Sequence, residues 1–309
     1  MSEKKVLPIW RSMMFVPVNV DKFVDSAHTR GADVVILDLE DSILPKDKER
    51  ARTLVAAAAP KVGRSGADVV VRINRQWRLC LRDLEAVVSK DICALMLPKT
   101  ESADHVLMVS EVLDELEAER GLPQGHTKLV VMIEGAAAFF RAQEIAAAHA
   151  RVVALTLGAE DFALSVGMVP EAEGLFYPKQ QIVIAARAAG VLPLGFIGTV
   201  ADFKDLDAFR ATVRRSRRLG FMGASVIHPS QIEILNAEFR PSPEEVQQAR
   251  KVVTAFEAAA GGNQGAIQVD GKMVDIPVVE RCRATLARHE AIEQRTNISL
   301  APLAGRGPG

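Results

Sequence analysis

Eight short apolar runs recur along the first three quarters of the chain, at residues 13–16, 34–39, 69–73, 94–97, 129–133, 152–157, 191–196 and 224–227. They are rich in Val, Ile and Leu and show little polar alternation, which marks parallel strands buried on both faces. Helical segments lie between them, at 21–29, 47–59, from beyond Lys99 to about 120, then 136–149, 179–189 and 203–219. In the third of these, Val106, Val109, Val112, Leu113 and Leu116 keep helical spacing while Glu111, Asp114, Glu115 and Glu117 fall on the other face. Eight alternations in about 230 residues match the count and size of a (β/α)8 TIM barrel, an α/β fold. The rival is a doubly wound open sheet. It would more often have fewer strands, and no G-x-G-x-x-G follows any strand here. Glycines mark the helix-to-strand turns (Gly31, Gly190, Gly220), whereas charged residues gather at the strand-to-helix turns. That asymmetry predicts a barrel with one working face.

The texture changes after residue 240, so residues 1–240 are read as the barrel and 241–309 as a C-terminal helical extension. Ser242 ahead of Pro243 and Glu244 opens a helix to about 260. A Gly-rich stretch, GGNQGAIQVDGKMVDIP, a helix over 278–290 and a polar tail expected to be disordered follow. The extension is too small for an ordinary core of its own, and is expected to close over a barrel mouth.

Charge narrows the function classes. Net charge is −1 and no basic block occurs, which argues against nucleic acid or an anionic membrane as partner. Cys80, Cys93 and Cys282 are scattered without metal-ligand spacing, which fits a reducing, cytoplasmic setting. The N-terminal residues carry no signal-like apolar run, and no segment is long enough to span a bilayer.

Chemistry is expected where strands end. The run 152–157 stops at Gly158, and Glu160 and Asp161 follow; the run 129–133 stops at Glu134. On adjacent strands, Glu134 and Asp161 would share one space and repel each other unless a cation or a proton lies between them. Hard oxygen ligands suit Mg2+, which completes its octahedron with water and substrate. The competing reading makes each acid a helix cap. Arg72 ends another strand, where a guanidinium either grips a substrate carboxylate or pairs with Asp38, Glu40 or Asp41; both can hold. Glu40 is the choice for a contact to metal-bound water, while Asp41 suits a turn cap. Lys99, just beyond a strand and near Glu101, reads as structural or phosphate-facing, and not as a Schiff-base lysine. His228, followed by Pro229 and Ser230, resembles a helix start more than a base.

The strings RSMMFVP, VVILDLEDS, VVVRIN, LMLPKTES, MIEG, LTLGAEDF, GASVIHPSQI and DGKMVDIP occur in this order. Together they resemble the HpcH/HpaI aldolase and citrate lyase superfamily, in its citrate lyase β-subunit-like branch with malyl-CoA and citramalyl-CoA lyases. The resemblance runs from Arg11 to about Ala287. It implies a Mg2+-dependent barrel assembled as a homotrimer or hexamer, with Glu134 and Asp161 as metal ligands and Arg72 on the oxo-acid. It further implies Asp275 as a proton-transferring lid residue, often serving a neighbouring subunit. The expected reaction is cleavage or formation of a 3-hydroxyacyl thioester. Backbone N–H groups around Ala159, Glu160 and Asp161 would help hold the substrate. Two departures stand out. Pro17-Val18-Asn19-Val20-Asp21 lacks the Gly and Arg usual near CoA, and Gly195-Phe196-Ile197-Gly198 lacks an aspartate. A CoA-independent 2-oxoacid aldolase, a subunit acting on a carrier-protein thioester and a non-catalytic metabolite-binding protein therefore remain alternatives.

Overall fold

A computed structural model of the chain describes residues 7–199, 204–259 and 265–300. It divides into two units, Met1–Phe239 and Arg240–Gly309. Unit one holds eight strands: β1 (Ser12–Pro17), β2 (Val34–Asp38), β3 (Asp68–Arg72), β4 (Ala94–Leu97), β5 (Lys128–Ile133), β6 (Val152–Leu157), β7 (Leu192–Leu194) and β8 (Ala224–Val226). They pair in parallel in the order β7-β6-β5-β4-β3-β2-β1-β8. A parallel bridge between Leu194 and Gly223 and a 2.8 Å bond from Gly195 N–H to the Gly223 carbonyl join the ends. The sheet is thus a nearly closed (β/α)8 barrel, and the open-sheet alternative falls away.

Strand parity sorts the side chains. Val34, Ile36, Val70, Ala94, Met96, Val130, Met132, Leu192 and Leu194 pack together inside the ring. Their neighbours Val35, Leu37, Val71, Leu95, Leu97, Val131 and Ile133 pack outward, in the layer shared with the helices. Because successive strand residues face opposite ways, the inner series of β2 continues to Asp38, that of β3 to Arg72, and that of β5 to Glu134. Apolar residues fill the middle of the barrel, Asp68 and Lys128 stand at its amino ends, and Asp38, Arg72 and Glu134 at its carboxyl ends.

The helices of this unit are α1 (Asp21–Ala27), α2 (Lys48–Gly63), α3 (Trp77–Val87), α4 (Ala103–Glu119), α5 (Ala136–Phe139), α6 (Ala142–Ala147), α7 (Ala159–Val166), α8 (Ala172–Ala188), α9 (Leu206–Arg218) and α10 (Ile232–Glu238). Several differ from the sequence reading. Neither α3 nor α7 is among its helical segments, although in α3 Cys80, Leu84 and Val87 are buried at helical spacing. The segment 136–149 is split in two at Phe140 and Arg141. Helix α8 starts at Ala172, six residues before Pro178, and carries that proline inside it, rather than starting after it. Residues 200–203, assigned to a strand-to-helix connection and the first residue of a helix, lie outside the described residues.

In unit two, α11 (Pro243–Ala259) opens with a capping box. The Ser242 N–H donates to Glu245 Oε2 at 2.8 Å and the Glu245 N–H to Ser242 Oγ at 3.2 Å. Residues 260–264 lie outside the described residues, and within the rest of the Gly-rich stretch an antiparallel hairpin forms, β9 (Ala266–Val269) and β10 (Lys272–Asp275). Its turn is Asp270-Gly271, both at positive φ, the geometry Asp-Gly favours. Helix α12 runs over Ile276–Leu300, ten residues past the expected end. The tail beyond Leu300 lies outside the described residues.

Candidate active site

A cavity of about 750 Å3 opens at the carboxyl ends of the barrel strands. Asp38, Arg72, Glu134, Ala159, Glu160 and Asp161 all border it. Strands β5 and β6 are neighbours, so Glu134, one residue past β5, and Asp161, in the first turn of α7, reach the same space.

The bond network starts at Arg72. Its register partner on β2 is Asp38, and the guanidinium forks onto that carboxylate, Nε to Oδ1 at 2.7 Å and Nη2 to Oδ2 at 2.8 Å. Its Nη1 lies 3.0 Å from Glu40 Oε2, and its Cζ 4.8 Å from the Phe15 ring centroid. Burial works against the Asp38 carboxylate, but the Arg72 fork holds its pKa below the usual range. Hydrogen bonds to Asp38 thus occupy Nε and one N–H of Nη2, while Glu40 lies beside Nη1 as an ion pair only. A guanidinium has five N–H donors, so three are not taken by Asp38. The pairing with the nearby acids is what this geometry shows.

Glu40 does not border the cavity. It is 5% exposed, behind the wall, between Arg72 and Lys99, whose ammonium lies 2.6 Å from Glu40 Oε1. Burial raises its pKa in spite of these two cations. Lys48 fixes the turn by donating to the Leu39 and Glu40 carbonyls at 2.9 and 2.7 Å. Asp38 closes it, accepting the Glu40 N–H at 3.0 Å and the Ser42 N–H at 3.2 Å. Asp38, not Asp41, is thus the acid that caps this turn.

Glu134 is 4% exposed, and its Oε2 accepts the Lys99 backbone N–H at 2.5 Å. Burial, with the Glu40 and Asp161 charges, pushes its pKa up to about 7. Gly158 makes room for it, since a Cβ there would overlap Oε1 and stand 2.8 Å from Cδ. The five carboxylates of Asp38, Glu40, Asp41, Glu134 and Asp161 face two cations that touch them, Arg72 and Lys99. Two carboxylates at one cavity, Glu134 buried and Asp161 partly exposed, fit a divalent cation. Among the described residues no group of three or more His, Cys, Asp and Glu is arranged as a metal cage. Two carboxylates with water and substrate completing the shell is the arrangement Mg2+ commonly takes.

The other residues sort plainly. Ala159 and Glu160 open α7, whose first N–H groups have no partner within the helix and face the carboxyl end of β6. His228 caps the short turn at Pro229–Gln231, its Nδ1 2.7 Å from Ser230 Oγ, as its sequence neighbours suggested. Asp275 belongs to unit two, ends β10 and accepts the Val278 N–H at 3.3 Å, so it caps the start of α12. The parts played by two residues went unrecognised in the sequence. Gly158 had only its place after a strand to mark it. Lys179, on α8 and 5% exposed, borders the cavity and donates to the Phe196 carbonyl at 2.5 Å and to that of Gly198.

Comparison with known proteins adds an independent line. A sequence profile described as HpcH/HpaI aldolase/citrate lyase matches residues 11–229. The chain is 36% identical over 285 residues to the citrate lyase subunit beta of Escherichia coli, covering 91% of this chain and 93% of that one. It is 33% identical to an L-malyl-CoA/beta-methylmalyl-CoA lyase of Cereibacter sphaeroides, covering 91% and 95%. A crystal structure of CitE from Mycobacterium tuberculosis, in complex with magnesium, acetoacetate and coenzyme A, superposes with a TM-score of 0.70 at 29% identity, covering 90% of this chain and 97% of that one.

Proposed function

The chain belongs to the HpcH/HpaI aldolase/citrate lyase family, and we propose that it is a Mg2+-dependent carbon–carbon lyase acting on a 3-hydroxyacyl thioester such as malyl-CoA or citramalyl-CoA. The observation that carries this reading is the buried Glu134, seated in the space left by Gly158, with Asp161 bordering the same cavity. These two carboxylates would hold the metal. Bound there, Mg2+ supplies Lewis acidity to the hydroxyl or oxo oxygen of the substrate.

The chain's own groups do the rest. Arg72, held in one orientation by Asp38, presents its remaining N–H donors to the 2-oxoacid carboxylate. The first N–H groups of α7, at Ala159 to Asp161, favour the charge that develops on the oxo-acid side. Loss of the substrate hydroxyl proton to solvent with cleavage of the C–C bond gives a 2-oxoacid, such as glyoxylate or pyruvate, and an acyl thioester enolate that must gain one proton at carbon. We assign that transfer to Asp275, acting on the site of a neighbouring copy. Glu40 contributes by holding Arg72 and Lys99, rather than by touching substrate.

An oligomer suits the surface. Phe140, Leu164, Val169 and Tyr177 are 84%, 81%, 67% and 64% exposed, and Phe139 contacts the rings of both Phe140 and Tyr177. Such a patch supports the homotrimer or hexamer implied by the resemblance. The three free thiols, Cys80, Cys93 and Cys282, support a reducing, cytoplasmic location.

The test is a substrate panel with purified protein and Mg2+: malyl-CoA, citramalyl-CoA and citryl-CoA against free malate, citramalate and citrate. Release of glyoxylate, pyruvate or oxaloacetate from a thioester alone is the expected result. Cleavage of the free acids alone would replace this reading with a CoA-independent aldolase.

A further inference from the structure

Lys99 is the residue in this site with the least ordinary backbone. Its φ is +48°, in the left-handed region that a side chain with a Cβ adopts at a cost. Three contacts hold it there. Its N–H donates to Glu134 Oε2 at 2.5 Å, its carbonyl accepts Arg75 Nε at 3.0 Å, and its ammonium lies 2.6 Å from Glu40 Oε1. The same ammonium is 3.4 Å from Asp41 Oδ1 and 3.7 Å from Asp161 Oδ1. One lysine therefore touches both carboxylates assigned to the metal, Glu134 through its main chain and Asp161 through its charge. Arg72 is fixed on Asp38 and makes no ion pair with Asp161, so among the described residues Lys99 is the cation that pairs with that acid.

We propose that Lys99 is the resident cation of this site. In metal-free protein its ammonium compensates the carboxylates that a divalent cation would otherwise neutralise, and it gives way from Asp161 towards Glu40 and Asp41 when Mg2+ arrives. The backbone bond to Glu134 survives the exchange, because it does not depend on where the side chain points. Lys99 is thus a positioning residue with two opposed effects. Its main chain organises one ligand, and its charge competes for the other. The physical basis is Coulombic: a unit positive charge within a few ångströms of a dication disfavours it even in a partly solvated mouth. The inference rests on the assignment of Glu134 and Asp161 to Mg2+.

Titration of the protein with Mg2+ alone, by calorimetry without substrate, separates the two effects. Lys99→Met removes the charge. Lys99→Gly removes it while suiting the left-handed φ, and so stands in if the Met variant does not fold. Both should bind Mg2+ about tenfold more tightly than wild type. In EDTA both should melt below wild type, so the gap between EDTA and Mg2+ melting temperatures widens. Lys99→Arg, which keeps the charge, should stay close to wild-type affinity. A lysine that merely supports Glu40 and Glu134 predicts the opposite sign: unchanged or weaker Mg2+ binding in both neutral variants would overturn the proposal. Asp161→Asn in the same titration tests the underlying assignment. If it binds Mg2+ as wild type does, the metal site itself is misplaced and the role of Lys99 falls with it.

Discussion

The Glu134 carboxylate sits in the space that a side chain at Gly158 would fill. Gly158 has an ordinary extended backbone, with φ −75° and ψ 101°, so its smallness, not its flexibility, is what the site uses. Gly158→Ala should therefore fold normally and displace Glu134. Mg2+ affinity should fall by about ten- to a hundredfold, the size of effect typical when a metal ligand loses its support. Calorimetric titration checks this; unchanged affinity would mean that Glu134 is not a ligand.

Arg72 pairs with Asp38 and Glu40 and is proposed to hold the substrate carboxylate, and one substitution weighs the two roles. Lys cannot reproduce the fork onto Asp38 nor present a planar edge to a substrate carboxylate. Losing a charge-assisted bidentate contact of roughly 2–4 kcal/mol should lower kcat/KM by about thirtyfold to a thousandfold. If Arg72 only balances the acids behind it, Arg72→Lys should lower the melting temperature and leave kinetics near wild type.

Asp275 caps α12, and Asn caps as well as Asp, so Asp275→Asn isolates the acid. Cleavage should fall about a hundredfold with Mg2+ binding and melting temperature preserved. Mixed with Arg72→Ala under proven subunit exchange, it should regain part of the activity, through sites built from one intact barrel and one intact Asp275. No recovery would rule out action across subunits.

Stability is anchored away from the cavity. Arg151 donates to Glu117 Oε1 at 2.7 Å and Oε2 at 2.6 Å, and the N–H groups of Gly125 and Thr127 each donate to Glu117 at 2.7 Å. Burial pushes the Glu117 pKa up, but these bonds hold it at about 2. A folded pKa below the unfolded one means stability fully present above about pH 4.5 and lost as pH falls towards 2. Urea denaturation across that window should show the decline. Arg151→Met, which strands a fully buried carboxylate, should cost about 3–5 kcal/mol.

Much of this was legible in the sequence, for a local reason. Parallel strands buried on both faces have to read as unbroken Val, Ile and Leu, so the strands were found; strand parity, which places Asp38 rather than Glu40 at the cavity, was a signal left unused. The misses were contacts that spacing does not encode. Lys99 meets Glu40 and Asp161 across some sixty residues of chain in either direction, through a backbone angle that no pattern announces. Gly158 matters only through what lies opposite it. Helix α3, by contrast, was readable from Cys80, Leu84 and Val87, and supplies Asp83, which accepts the Asn74 N–H at 2.9 Å and so holds the turn after β3. The Asp270-Gly271 hairpin turn was an available signal as well.

If Glu134 and Asp161 together make the chain a metal-dependent lyase of thioesters, oxoacid release from malyl-CoA and citramalyl-CoA will depend on both the metal and Asp161. Followed for wild type and Asp161→Asn, in Mg2+ and in excess EDTA, release should occur with wild type in Mg2+, vanish on chelation and return when Mg2+ is restored. In Asp161→Asn it should run at no more than about a hundredth of that rate. Full activity in EDTA, or wild-type rates in Asp161→Asn, would mean that these two carboxylates do not hold a catalytic metal.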